Sequence, residues 1–216
     1  MRAMVFIDGQ NLFLTSRTVF GQTDSFPPYD PHLIGEKSRG LVEMHLKQKR
    51  EMSKLDELVL EETRFYTGIP LPAKEPELHA SWRRKIADAE KRGVNVFSRS
   101  LQYIPSSDGG PDRKKEKGID VRIALDVVML GIKRQYDVAI LFSRDNDFSE
   151  VAKEINELRR DPRFSSLRTV CCYPRSRYQD TKTSGIHLWD WCPFDENFYH
   201  SCRDPKDYRE TRRRKS

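Results

Sequence analysis

The sequence predicts an α/β fold built on a mostly parallel central sheet. Three observations carry that expectation. A continuous apolar run at 3–7, an apolar strand at 137–142 and a further strand at 167–173 are short, and the first two lack the polar alternation of a half-wet strand, as expected for strands buried on both faces. Segments with helical apolar spacing lie between them, and strands alternating with helices imply parallel pairing. Acidic residues then follow directly where two of the runs stop, at Asp8 and at 145–147. That is where an open parallel sheet forms its sites, beyond the carboxyl ends of its strands.

The elements follow in order. Ala3–Ile7 is a buried strand ending at Asp8-Gly9, and Gly21, Pro27, Pro28 and Pro31 mark a loop over 20–32. A helix is expected over about 33–50, through Leu33, Leu41, Val42 and Leu46, and a second strand near Glu62–Thr67. Leu78, Trp82, Ile86 and Ala89 recur at helical spacing, which predicts a helix over 77–92 with Gly93 as its C-cap. Val94–Leu101 alternates as a strand. Residues 105–118 read as a flexible basic loop, followed by a helix over 119–134, a strand over 137–142, a loop at Ser143–Asp147, a helix over 148–160 and a strand over 167–173. We expect one domain over 1–200 and a basic C-terminal tail over 201–216.

The chain has 216 residues with 39 Lys and Arg against 33 Asp and Glu, a net charge of +6 and a pI near 9.1. A basic balance favours polyanionic partners, nucleic acid first among them. The run at 3–7 stops far short of a signal-peptide core, and no apolar run approaches the ~20 residues of a membrane helix. The four cysteines form no C-x-x-C pair, which speaks against structural zinc. They are expected as reduced, mostly buried thiols of a cytoplasmic protein, with one disulfide near the C-terminal end as the minor alternative.

Asp8 sits at a strand end, with Gly9 permitting a bend and Asn11 able to hold a neighbouring carboxylate; taken alone, an Asx turn opening a helix is the readier explanation. Asp120 shares a helix face with Ile123, Ala124 and Val127, so it is expected to look toward the core, where an unpaired carboxylate is expensive. Asp126 shares its face with Arg122 and Lys133 and reads as a solvated ion pair. Asp145 and Asp147, two apart after a buried strand, can both reach one cation, although Asp147 with Glu150 also fits a capping box. Hard oxygen ligands in this number suit Mg²⁺ or Mn²⁺.

The segments Val5-Phe6-Ile7-Asp8-Gly9-Gln10-Asn11-Leu12, Lys117-Gly118-Ile119-Asp120-Val121 and Leu141-Phe142-Ser143-Arg144-Asp145-Asn146-Asp147-Phe148 resemble the three motifs of NYN-domain proteins. These are relatives of PIN and FLAP nucleases and include the LabA-like group. The resemblance spans about residues 3–175. It implies a PIN-like Rossmannoid three-layer sandwich and Mg²⁺- or Mn²⁺-dependent cleavage of RNA. It also implies Asp8, Asp120, Asp145 and Asp147 as metal-holding acids, with Asn11, Lys117 and Ser143 beside them; Asp126, read from its own helix face, stands in a second tier. Arg144 departs from the small Gly usual between Ser and Asp, and the stretch from Phe20 to Leu60 is longer than a minimal domain needs. Arg113, Lys114, Lys115, Lys117, Arg144 and the terminal Arg212, Arg213, Arg214 and Lys215 are candidate RNA contacts, with solvation of flexible ends as the plain alternative. Phe13 and Tyr103 are candidate stacking platforms, with burial in the core as the competing explanation. A non-catalytic RNA-binding or scaffold protein on the same fold is the rival reading, RNA the expected partner in either case, and a homodimer is left open. A phosphatase of the haloacid-dehalogenase type would need Asp-x-Asp after the first strand, where this chain has Asp8-Gly9-Gln10. No G-x-G-x-x-G or P-loop follows a strand.

Overall fold

The computed structural model describes residues 1–106, 110–176 and 185–209. Six strands, β1 (Arg2–Asp8), β2 (Val59–Ile69), β3 (Val94–Ser100), β6 (Val138–Phe142), β7 (Arg168–Pro174) and β8 (Asp190–Phe194), form one sheet in the order β3-β2-β1-β6-β7-β8. Every neighbouring pair is parallel. A second, two-stranded sheet pairs β4 (Gln102–Ile104) with β5 (Arg113–Lys115) antiparallel. The helices are α1 (Gly9–Phe20), α2 (Pro31–Gln48), α3 (Pro76–Lys91), α4 (Ile119–Ile132), α5 (Ser149–Leu158) and α6 (Glu196–Ser201).

The apolar runs are continuous because both sheet faces are covered. Ala3, Val5 and Ile7 of β1 join Val138, Ile140 and Phe142 of β6 in a core shared with α1, α2, α3 and α6 through Leu12, Ile34, Val42, Trp82, Ile86 and Tyr199. Met4 and Phe6, with Ala139 and Leu141, face the opposite core, shared with α4 and α5 through Ile123, Val127, Ala152 and Ile155. The result is the expected three-layer α/β sandwich. Each fully buried large side chain of these strands contributes about 1.5–3 kcal/mol of transfer free energy. That is the term that holds β1 and β6 at the sheet centre.

The chain runs outward from β1 through β2 to β3, then returns to place β6, β7 and β8 on the other side of β1. The connection therefore reverses direction between β1 and β6, and a crevice opens above their carboxyl ends.

Several elements differ from the sequence expectation. Helix α1 begins directly at Gly9, capped by the Asp8 side chain, which accepts from the Asn11 N–H. Gly9 serves close approach rather than a bend, since a Cβ there would lie 2.7 Å from Phe65 Cε2 and 2.8 Å from the Tyr66 carbonyl. Part of the expected basic loop is the β4–β5 hairpin. It is tied down where Tyr103 donates to Glu75 at 2.5 Å, accepts from the Leu71 N–H at 3.3 Å, and Lys114 reaches Glu75 at 2.6 Å. Strand β8 and helix α6 close the far edge of the sheet.

Residues 201–209, expected in the tail, are part of the body. Cys202 and Tyr208 are buried. Lys85, 1% exposed, donates to the Tyr29 carbonyl at 2.6 Å and pairs with Asp204 at 3.0 Å, inside a ring of Phe26, Tyr29 and Tyr208. The remaining tail, with Arg212, Arg213, Arg214 and Lys215, lies outside the described residues. All four cysteines are buried and free. Among the described residues no helix is long and apolar enough to cross a membrane.

Candidate active site

Asp8 ends β1 at the crevice and is only 8% exposed. Its carboxylate accepts from the Asn11 N–H at 3.1 Å and from Ser143 Oγ at 3.2 Å. Ser143, just past β6, also accepts from the Asp145 N–H at 3.1 Å, and Asn11 Oδ1 accepts from the Arg144 N–H at 2.9 Å. The β1–α1 turn and the loop after β6 are thus laced together by short polar contacts. Asn11 was expected to hold a carboxylate through its side chain; its backbone N–H does so instead, and its side-chain oxygen anchors the Arg144 backbone, while Ser143 bonds Asp8 directly. Arg144 takes part through its backbone N–H.

Burial pushes the Asp8 carboxyl up to about 6, against the Asn11 and Ser143 hydrogen bonds, and the charges of Asp145 and Asp120 push in the same direction. The cleft in front of it, of about 630 Å³, is lined by Asp8, Asn11, Glu116, Asp120 and Asp145 together with Lys114, Lys115 and Lys117. Three of the four acids predicted from sequence therefore share one cleft.

Asp120 reaches this cleft in a way the helix-face argument misjudged. It is exposed, while Ile123 and Val127 are buried and Ala124 half-buried. It occupies the first turn of α4, where side chains lean toward the helix N-terminus and project past the packed layer.

Asp147 is exposed and is absent from the cleft lining. A 3₁₀ turn at Asn146–Phe148 separates it from Asp145, whose carboxylate caps that turn by accepting from the Asp147 N–H at 3.0 Å. The capping role assigned to Asp147 thus falls to Asp145, and Glu150 pairs with Lys153 instead.

Asp126 is buried, not solvated. It sits 2.9 Å from Arg64, 3.0 Å from Arg122 and 2.8 Å from the Tyr66 hydroxyl. Lys133 is not among these partners, and Asp126 lies outside the acidic cleft lining. Burial raises the Tyr66 hydroxyl above its usual range, and the Asp126 charge adds to it. Arg64 on β2 is the cation that the burial of Asp126 required.

Glu116 is the residue that sequence reasoning missed. It precedes α4, its carboxylate accepts from the Gly68 N–H, and it lines the cleft beside Asp8 and Asp120. Burial pushes its carboxyl up to about 7 despite that hydrogen bond, with the charges of Asp8 and Asp120 adding to the effect. Gly68 makes the space, since a Cβ there would meet Glu116 Oε1 at 2.6 Å and Leu101 at 2.4 Å. Its signal was a carboxylate four residues before Asp120, hidden inside a run of lysines.

Of the expected RNA contacts, Lys114, Lys115 and Lys117 line the cleft, whereas Arg113 and Arg144 do not. Arg113 is exposed on the β4–β5 hairpin. Tyr103 is held by Glu75, with Lys74 over its ring, and Phe13 is half-buried under Arg17.

Among the described residues no group of three or more acids, histidines or cysteines is drawn tightly enough to be a ready-made metal site. The donor set still fits a hard cation. The cleft offers only carboxylate oxygens as charged ligands, and two of them are raised by burial and like-charge repulsion, a strain that a bound cation relieves.

The solved structure of a protein of unknown function from Vibrio parahaemolyticus is similar over 91% of this chain and 94% of its own, with a TM-score of 0.51 and 16% identity, a likeness of fold alone. No curated protein matches the sequence. A model of the NYN domain matches residues 2–162, from the start of β1 to beyond the Asp145 loop and α5, so the chain belongs to the NYN domain family, whose members are in general PIN-like and nuclease-like.

Proposed function

We propose that this chain is a metal-dependent endoribonuclease that hydrolyses RNA phosphodiester bonds, acting in the cytoplasm. The observation that carries the reading is the convergence of Asp8, Glu116, Asp120 and Asp145 on one cleft rimmed by Lys114, Lys115 and Lys117. Acids at the floor and cations at the rim suit a phosphodiester, whose chain is attracted by the lysines and whose reacting phosphorus sits over the carboxylates.

Asp8, Glu116, Asp120 and Asp145 would hold Mg²⁺ or Mn²⁺, and such an ion lowers the pKa of a bound water and steadies charge developing on phosphate. Asp8 is kept in place by Asn11 and Ser143, and Glu116 by the Gly68 N–H. Asp120 is exposed and can turn toward a ligand, and Asp145 is held by the Asp147 N–H with its other carboxylate oxygen left to face the cleft. Lys115 and Lys117 are exposed and can neutralise the flanking phosphates, while Lys114 is already shared with Glu75.

The test is incubation of single-stranded RNA, structured RNA and DNA with the protein, with Mg²⁺, with Mn²⁺ and with chelator. Internal cleavage of RNA that needs the metal and disappears in Asp8→Asn supports the reading. RNA binding without cleavage under every metal condition overturns it in favour of a binding protein.

A further inference from the structure

Helix α4 has an apolar outer face that the described residues leave exposed. Its inner face is packed, with Ile119, Ile123, Val127 and Leu130 buried. On the opposite side Val121, Leu125, Met129 and Ile132 are 57%, 56%, 47% and 42% exposed, and Val128 between them is half-buried. Only Asp120, Arg122 and Asp126 are charged in the whole helix. A helix apolar all round belongs in an interior, not at a surface.

The segments 107–109, 177–184 and 210–216 hold a single large apolar side chain between them, Tyr178. We infer that the face is covered by α4 of a second copy of this chain, packed antiparallel.

Spacing is the first support. Val121, Leu125, Val128 and Ile132 follow one another at four, three and four residues, the seam spacing of two helices packed knobs into holes. Self-complementarity is the second. A two-fold axis between residues 126 and 127 sets Val121 level with Ile132 of the other copy, and Leu125 level with its Val128. A symmetric dimer requires such an isologous match, in which one patch serves both partners. Charge is the third. Arg122 is the one ionic side chain flanking the seam, and it is already paired with Asp126 at 3.0 Å. No uncompensated charge would be buried.

The area sets the strength. The exposed stripe amounts to about 350 Å² per copy, the size of a patch that marks an interaction site. A standard interface takes about 800 Å² per partner, so α4 supplies the apolar centre and the neighbouring surface supplies the rim. The dimer is therefore a reversible one.

Sedimentation of the full chain over a concentration series from low to hundreds of micromolar tests this, together with Leu125→Arg. Wild type should pass from monomer to dimer across that range. Leu125→Arg, which by symmetry places a charge twice in the seam, should weaken association at least about 100-fold, with an unchanged thermal melt because the position is exposed. Register is tested by oxidation of cysteine variants, since the native cysteines are all buried. Val121→Cys mixed with Ile132→Cys should form a mixed disulfide dimer, while Val121→Cys alone should not, its two copies lying about 16 Å apart along the axis. A wild type monomeric throughout, a dimer indifferent to Leu125→Arg, or crosslinking of Val121→Cys with itself would each overturn the inference. None of these readouts depends on nuclease activity.

Discussion

Asp8→Asn should make the protein more stable in the absence of divalent cations. The buried Asp8 carboxyl is raised from its ordinary 3.8 to about 6, so its ionised form is disfavoured by the fold. The sign follows from linkage. A carboxyl with a raised folded pKa costs nothing below its unfolded value, and its penalty grows as pH climbs through the window from 3.8 to about 6 and then levels off. A shift of about two units corresponds to about 3 kcal/mol at pH 8 and roughly half of that at pH 5. Asparagine keeps the shape and an acceptor for the Asn11 N–H while removing the charge. The variant should gain up to about 3 kcal/mol at pH 8, or roughly 6–12 °C in melting temperature for a chain of this size. Urea melts of wild type and variant at pH 8 and pH 5 with chelator measure it. Added Mg²⁺ should then narrow the gap by stabilising wild type alone. A variant no more stable than wild type at pH 8 would refute the claim that Asp8 is held in a penalised, cation-ready state.

Four further outcomes are expected. Asp126→Asn removes the charge shared by Arg64 and Arg122, leaving Arg64 with Glu62, and should destabilise by about 1–3 kcal/mol, read by denaturant melts, with metal binding intact in the folded fraction. Gly68→Ala drives a methyl against Glu116 and Leu101 and should cost about 1–3 kcal/mol while weakening Mn²⁺ binding measured by calorimetry. Lys85→Met leaves Asp204 without its buried partner, so limited proteolysis should cut within 203–209 much faster than in wild type. Binding to single-stranded RNA should weaken with salt at a slope of about −0.7 per phosphate contact, and Lys115→Ala with Lys117→Ala should flatten that slope.

The fold was legible because its central strands are buried on both faces, which leaves unbroken apolar runs such as Val138–Phe142. Strand β8 was not, because Asp190, Trp191 and Pro193 interrupt the pattern at a sheet edge that is only partly covered. Asp8 and Asp145 were legible from their places after β1 and β6. Asp120 lines the cleft for a reason the face argument did not contain: helical periodicity reports which residues share a face but not whether the first turn extends beyond the layer it packs on. Asp126 and Asp147 exchanged environments with expectation because each depends on a distant or local partner that spacing does not reveal. For Asp126 that partner is Arg64, which lies 62 positions away and could be suspected only as a cation in a strand core. For Asp147 it is the Asp145 cap, which turns the chain outward. Glu116 was hidden because a lysine-rich stretch looks like solvated loop until the hairpin beside it is formed.

Single-turnover cleavage of single-stranded RNA at saturating Mg²⁺, run side by side on wild type, Asp8→Asn, Glu116→Gln, Asp120→Asn, Asp145→Asn and Asp147→Asn, tests the account most directly. The four cleft variants should each lose at least about 100-fold in rate, the scale of a lost charge-stabilising group. Asp147→Asn, outside the cleft, should stay within several-fold of wild type, with thermal melts confirming that every variant is folded. An inactive wild type, or a folded Glu116→Gln or Asp120→Asn that cleaves as fast as wild type, would contradict it.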